Sequence, residues 1–406
     1  MKSRTVIILW AAAVILGIIA CIVQFGSKDD STSRTKLAPG DKLIADLPMR
    51  EITQVFVSQG DTSTEIKLAG ADTWQVAERD NYPTNRELLR NLLGALNEIK
   101  ITQAYPADSK HHARFGLAES SDEESERGLR VIIKKADGSI AADIFLGKYS
   151  GTSRSGGRFT RRASDNSGVY AVGETFPGIT ADPKDWLDTN FIKIQRIKTI
   201  SVAAPEDPEF KTWTLIRHPN TDGTVNEKGQ FKVENMTEDE VMQLTSTSPL
   251  RNLFSFASFQ DILTEQQANK TTNPDKKLKR VATITTFDGL TYTITFWPQK
   301  DKPKDSNADP RLPAVQASNL LTVSVTADLK EKRIPAEGEK PEEAKKLDAQ
   351  HTDQQKALKE KLASTKVFEG RIYQVGQSVV APLQKQRSDF VKTKDKPAET
   401  AQPNQG

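Results

Sequence analysis

Histidine is the commonest general base and a frequent metal ligand at neutral pH, and this 406-residue chain has four: His111, His112, His218 and His351. His111 and His112 are adjacent in the polar stretch PADSKHHARFG. Neighbouring side chains point to opposite sides of most backbones, so the pair reads as surface loop and not as a chelate. His218 precedes Pro219 in a loop rich in Gly, Asn and Asp, and His351 lies in a charged helical run; neither has a partner that the sequence identifies. Nucleophile patterns are missing as well, with no GxSxG elbow and no SxxK with companion motifs. GTSRSGG, Gly151 to Gly157, is rich in glycine but lacks the GxxxxGK[ST] order and a following helix, so it reads as a hairpin loop and not a phosphate cradle. Asp182, Asp185 and Asp188 in ADPKDWLD fit turn and capping chemistry better than acid and base work. The sequence therefore nominates no catalytic residue, no metal ligand and no cofactor, and the expectation is a protein that is not an enzyme.

The 57 basic and 54 acidic residues nearly balance, at a net charge of +3, so no field for nucleic acid is implied. The densest basic cluster is RFTRR, Arg158 to Arg162. On a strand, Arg158, Thr160 and Arg162 alternate with Phe159 and Arg161, which reads as a solvated hairpin edge, with contact to lipid headgroups or a partner as the alternative.

The elements that carry these residues begin with an apolar run, Val6 to Val23, preceded by Lys2 and Arg4. As a helix rising about 1.5 Å per residue it spans roughly 27 Å, close to the hydrocarbon thickness of a bilayer. The basic residues before it predict a cytoplasmic N-terminus and an extracytoplasmic body. ACIVQFG supplies a cleavage site poorly, which favours an uncleaved signal anchor over a signal peptide. Cys21, in IIAC, has the order of a lipoprotein processing site, but the apolar run continues past it through Ile22, Val23 and Phe25, which favours an ordinary span residue. With no second cysteine no intramolecular disulfide can form, so the body must be held by its core.

After a stalk rich in Ser, Thr, Lys and Gly, Ile52 to Ser58 alternates as a half-buried strand, and TEIKLAGADTWQVAE predicts two short strands with Trp74 and Val76 on one face. In YPTNRELLRNLLGALNEI, Thr84 is the expected N-cap with Glu87 as its capping-box partner, and Leu88, Leu89, Leu92, Leu93 and Leu96 form one helical stripe. Two hairpins follow, the first turning on Asp137-Gly138 and the second returning through Val169, Tyr170 and Val172. DPKDWLDTNFI closes the unit, with Asp185 capping a short turn over Trp186 and Phe191.

The second half repeats this order. IQRIKTISVAA matches the opening strand, and KTWTLIRH with Trp213 matches DTWQVAER with Trp74. MTEDEVMQLTSTSPLRNLFSF takes the helix position, with Thr237 as N-cap and Glu240 as its partner. VATITTFDGLTYTITF repeats the hairpin at Asp288-Gly289, and RIYQVGQSV echoes GVYAVGETF, pairing Tyr170 with Tyr373 and Gly173 with Gly376 as turn residues. The expected fold is α+β: an N-terminal transmembrane helix, then two related units, each an antiparallel β-meander with one main packed helix. The boundaries are an n-region 1–5, an anchor 6–25, a stalk 26–48, a first unit 49–194, a second, diverged unit 195–392 with charged insertions at 300–312 and 330–366, and a disordered tail 393–406. The insertion at 330–366 contains a polar helix expected to project into solvent.

The pattern W-x-V, Y-P-T-N-R-x-L-L-x-x-L-L-x-x-L, F-G-L, L-G-K, V-Y-x-V and D-W-L-D resembles the DUF4340 family of bacterial membrane-tethered proteins. It is carried by Trp74 to Val76, Tyr82 to Leu96, Phe115 to Leu117, Leu146 to Lys148, Val169 to Val172 and Asp185 to Asp188. The resemblance covers about Ile52 to Ile200 well and the second half more loosely. It implies an extracytoplasmic accessory protein of an ABC-type export system related to those of gliding motility, held in the bacterial inner membrane through residues 6–25 and contacting a permease or another envelope protein. The chain carries no Walker motif, so any ATPase is a separate chain. A groove between the units that binds a glycan or lipid is the alternative expectation.

Overall fold

A computed structural model describes residues 35–151, 156–217, 229–300, 318–330, 332–335 and 339–394. The expected anchor with Cys21, His218, nearly all of the 300–312 insertion and the tail from residue 395 lie outside these residues. Among the described residues no helix is long and apolar enough to cross a membrane. The chain divides into two compact units at Asp188/Thr189. Each is α+β, with an antiparallel sheet and few helices.

The first unit holds β1 (Ile52–Gln59), β2 (Thr62–Ala69), β3 (Thr73–Val76), β4 (Tyr82–Pro83), α1 (Arg86–Glu98), β5 (Ile101–Pro106), β6 (Leu129–Lys135), β7 (Ile140–Tyr149), β8 (Arg158–Arg162) and β9 (Gly168–Val172). Its nine strands run in the order β4-β3-β2-β1-β6-β7-β8-β9-β5. Strand periodicity places Val55, Val57, Val131, Ile133, Ile144 and Leu146 on one face, and all six are buried. The stripe on α1 is realised by Leu89, Leu92, Leu93 and Leu96, all buried. Its cap differs from the expectation: Asn85 is the N-cap and accepts from Leu88 N at 3.0 Å. Thr84 is instead buried, and its hydroxyl donates to Trp186 O at 2.7 Å. Likewise Asp182, not Asp185, caps the 3-10 turn Pro183–Trp186, while Asp185 accepts from the Thr180 hydroxyl.

Residues from Thr35 onward do not form the expected stalk. Gly40 and Leu43 donate to Ile101 O and Ile99 O, and Leu43, Ile44 and Leu47 are buried. The apolar side chains of KLIADL, hidden among polar neighbours, carry this segment onto the unit.

The second unit contains β10 (Ile197–Ala203), β11 (Trp213–Ile216), β12 (Lys232–Val233), β13 (Glu240–Met242), α2 (Leu244–Thr247), β14 (Phe259–Leu263), α3 (Glu265–Thr271), β15 (Arg280–Thr286), β16 (Leu290–Pro298), β17 (Ser318–Ala327), α4 (Pro341–Thr365), β18 (Ile372–Gly376), α5 (Gln377–Val380) and β19 (Val391–Thr393). Its main sheet runs β12-β11-β10-β15-β16-β17-β18-β14, the order of the first sheet without an equivalent of β4. Two of the register irregularities coincide too. The β1–β6 register shifts between Ile52 and Gln54, as β10–β15 does between Ile197 and Thr199. The β5–β9 register shifts between Ile101 and Gln103, as β14–β18 does between Phe259 and Asp261. Counting from these bulges, Tyr170 faces Thr160 and Ala104, and Tyr373 faces Leu321 and Ile262 at the same positions. Gly138 and Gly289 both take positive φ at the matching hairpin turns.

Several expectations for this half are corrected. Trp213 lies on β11, paired directly to β10, whereas Trp74 lies on β3, one strand further out; the two tryptophans are not equivalent. Thr237 and Glu240 do not open a helix. Glu240 accepts from Thr237 N at 3.0 Å, one half of a capping box, but the chain then runs into β13, and only Leu244–Thr247 is α-helical before a 3-10 turn with Pro249. Serines, threonines and proline in TSTSPL oppose a longer helix. Phe191 packs on Phe254, Phe259, Phe368 and Tyr373 within the second unit. Neither Gly173 nor Gly376 adopts positive φ; Gly376 is the N-cap of α5, so no turn there requires glycine.

The charged helix α4 is docked along one side. Leu358 and Thr365 are buried, Lys361 pairs with Asp288 at 2.8 Å, and Gln355 accepts from Lys330 N at 3.0 Å. The C-terminal segment is also held further than expected: β19 pairs with β13, and Arg387 forks onto both Glu240 oxygens.

Candidate functional site

Arg161 of the arginine cluster, His112 of the histidine pair and the F-G-L and L-G-K motifs stand apart in the sequence and come together at the second face of the first sheet. Side chains alternate along β7 and β8, so Phe145 and Arg161, directly opposite in register, share this face with Phe159. Phe145, Val169, Ala107 and Leu117 form a small buried cluster, with Phe115, Phe159 and Ala163 packed against it. Phe115 and Phe159 meet edge to face at 4.9 Å, and Tyr105 completes the group 5.9 Å from Phe159.

Glycine sets how closely this cover approaches. A Cβ on Gly147 would meet Phe115 O at 2.3 Å, and one on Gly128 would meet the Phe145 ring at 2.9 Å. Gly116 turns the cover with φ +66, a left-handed conformation that L side chains rarely adopt. F-G-L and L-G-K are therefore two sides of one contact. Y-P-T-N and D-W-L-D form a second: Asn85 N and the Thr84 hydroxyl both donate to Trp186 O, and Trp186 is fully buried.

β8 is an interior strand, flanked by β7 and β9, so RFTRR is not the solvated edge expected from its charge. Each arginine instead ties a loop to the sheet through a backbone carbonyl: Arg158 Nε to Gly147 O, Arg161 Nε to Leu117 O, and Arg162 Nε to Leu43 O. Arg161 is the most enclosed, 3% exposed, with its guanidinium carbon 3.8 Å from the Phe145 ring centroid. Burial presses its guanidinium below the ordinary value, partly offset by Glu119 and Asp143. Those two carboxylates are already committed to Arg130, which holds Asp143 at 2.9 and 2.8 Å and Glu119 at 3.2 Å. Among the described residues Arg161 makes no ion pair, and its Nη groups donate no hydrogen bond.

The histidine pair separates. His111 is exposed and meets Asp108 Oδ1 at 2.7 Å, as a surface loop predicts, but His112 is 3% exposed. It sits on the 3-10 turn Ser109–Phe115, and its Nε2 has no hydrogen-bond partner among the described residues. Desolvation first, and then the Arg161 charge, hold its pKa below the usual value. A polar loop sequence gave no sign of this burial; the signal available was the run Phe115-Gly-Leu117, whose apolar residues draw the turn inward.

Close by, Asp165 is buried and accepts from Tyr170 Oη at 2.6 Å, Ser167 Oγ at 2.7 Å and Ser167 N at 2.9 Å. Burial raises its pKa, but the bonds from Tyr170 and Ser167 outweigh that and hold it low. Tyr170 is thus a core tyrosine that fixes a hairpin. Asp182 is occupied by Lys184 and Arg79. Among the described residues no group of three or more His, Cys, Asp or Glu stands where it could hold a metal ion.

Among the described residues the arrangement offers charge and hydrogen-bond donors. A family model described as a domain of unknown function, DUF4340, matches residues 74–281, just over half of the 406-residue chain. Searches of curated proteins and of solved structures return no match. The matched span runs from β3 of the first unit into β15 of the second and takes in the motifs from Trp74 to Asp188, so the chain belongs to the DUF4340 family.

Proposed function

We propose that this protein is a non-enzymatic scaffold, tethered to the bacterial inner membrane through residues 6–25 with its body extracytoplasmic, and that it serves as an accessory component of an ABC-type transport or envelope complex. The observation that carries the reading is the repeated sheet. Two units share strand order, two bulge positions and a buried tyrosine in register, which supports an internal duplication of a packing unit. The motif residues of the family are spent on holding that unit together, as Trp186, Tyr170 and Gly147 show. A duplicated body whose recognisable residues are architectural is suited to presenting surface to partners. The apolar run Val6 to Val23 in the sequence supports the tether.

Anchor and sidedness are tested by protease treatment of spheroplasts together with membrane fractionation. The expected result is a body degraded from outside intact cells' inner membrane and a protein that resists carbonate extraction. A body protected until the membrane is lysed overturns the assignment of side, and release by carbonate overturns the anchor.

A further inference from the structure

We propose that the open face of the second unit's main sheet is a binding surface for a single extended chain of an uncharged, β-1,4-linked glycan, held by rows of threonine and serine hydroxyls. Side chains alternate along the strands, so Val202, Ala282, Ile294 and Val325 are buried while the residues between them lie on the opposite face. Register aligns those residues into rows. Thr214, Ser201, Thr283, Thr293 and Ser324 stand directly opposite one another across five adjacent strands, β11, β10, β15, β16 and β17. Two residues along the strands, Thr199, Thr285, Thr291 and Thr326 form a second row across four of them. None of these side chains is buried, and none is charged.

The hydroxyls have capacity to spare. Thr199 and Thr285 share one hydrogen bond at 2.6 Å, and Thr214 donates to Ser201 Oγ at 3.2 Å. Thr283, Thr291, Thr293 and Thr326 make no side-chain hydrogen bond among the described residues. A hydroxyl donates one bond and accepts two, so even the paired ones can take another. The first unit shows that the fold does not require these residues. Counted from the matching bulge, it sets Phe56, Ile132 and Asp143 where the first row has Ser201, Thr283 and Thr293, and Gln54 and Lys134 where the second has Thr199 and Thr285.

Spacing and charge select the ligand. Neighbouring strands lie about 4.7–4.9 Å apart, so the five-residue row runs roughly 19 Å. That interval is close to the advance per sugar of an extended β-1,4-linked chain, and a chain laid across the strands meets one hydroxyl per sugar. The uncharged rows offer nothing to a phosphate or a carboxylate, whereas sugar hydroxyls donate and accept as threonine does and ring C–H groups meet the threonine methyls. Each strand is rotated by about 20–25° on the next, so the rows twist, which suits one flexible chain and not the flat face of a crystalline polymer. The surface lies within the second unit alone, and the inference depends on neither the tether nor the transport role.

The test is isothermal titration of the full chain, in a detergent without a sugar headgroup, with β-1,4-linked glucose oligomers of increasing length up to the hexamer. The α-1,4-linked glucose hexamer, whose chain coils, is the control for linkage. Binding should be saturable, insensitive to added salt, and tighter with each sugar until the chain fills the row at about four or five units. The α-linked hexamer should bind more weakly than the β-linked one. Thr283→Val combined with Thr293→Val keeps the branched shape and removes two hydroxyls, and should weaken the β-linked hexamer by about tenfold or more. Thr293→Asp, the first unit's residue at that position, should weaken it too and remains informative if the double valine variant does not fold. Absence of saturable binding, affinity independent of chain length or linkage, or equal binding by wild type and the folded variants overturns the proposal.

Discussion

Replacing Tyr170 with Phe removes one hydroxyl and leaves the ring in place. Asp165 then loses the shortest of its bonds, 2.6 Å to Tyr170 Oη, and keeps those from Ser167, with Lys36 Nζ at 3.9 Å. A hydrogen bond to a buried charged group contributes about 1.5–3 kcal/mol, and nothing fills the gap left by an oxygen in a close-packed interior. For a unit of this size each kcal/mol moves the transition by about 2–4 °C, so calorimetry at pH 7 should show the first unit melting roughly 3–12 °C lower. The effect has a pH signature. The folded pKa of Asp165 is depressed, so its contribution is present above its unfolded value of 3.8 and fades as pH falls below it. The gap between wild type and Tyr170→Phe should therefore narrow as pH drops through that range. Asp165→Asn should couple to it, with the double variant less destabilised than the sum of the two. A shift under 1 °C at pH 7, or strict additivity, would refute the claim that this pair fixes the hairpin.

Other expectations concern particular contacts. Gly138→Ala and Gly289→Ala should each cost about 1–2 kcal/mol, because positive φ is strained for any L side chain while the space is open or in ordinary contact at both turns; chemical denaturation reads both, and a neutral result at either undermines the equivalence of the two hairpins. Glu240 has its pKa pulled down to about 2, chiefly by the Arg387 fork and then by Thr237 N–H. Its contribution is complete above the unfolded carboxylate range and lost as pH falls toward 2, so hydrogen exchange at Val391–Thr393 should speed up in that window in wild type but be fast throughout in Glu240→Gln. Leu358→Ala should undock the C-terminal half of α4, a loss of about 2–5 kcal/mol for a buried leucine, seen as faster exchange over Leu358–Thr365 with the β15–β16 hairpin still protected.

Much of the architecture is legible because it rests on local patterns. Alternation in ITQVFVS, the leucine stripe of α1 and the two Asp-Gly turns have one plausible local outcome each, and the structure realises them. The errors share a different cause. Charge alone makes Arg161 and His112 look solvated, and only the non-local pairing of β8 between two strands, together with the cover drawn down by Phe115 and Leu117, encloses them. Thr237 and Glu240 satisfy a capping rule, but behind Val241 and Leu244 the apolar spacing gives way to the Ser, Thr and Pro of TSTSPL, so the local turn forms without a long helix. Trp74 and Trp213 share a sequence context and differ by one strand because hairpin position is set by pairing and not by the residue. The docking of α4 was hidden by its low apolar content; Leu358 and the Lys361–Asp288 pair suffice once a hairpin end lies beneath them.

The direct measurement of the proposed role is crosslinking in live cells, followed by purification of the full-length protein from membranes and mass spectrometry of what is attached. The account predicts an ABC permease or its ATPase among the reproducible crosslinked partners, reached from the extracytoplasmic body or the anchor. Crosslinks that recover envelope proteins but no transporter subunit, under conditions that preserve a known transporter complex, would contradict it.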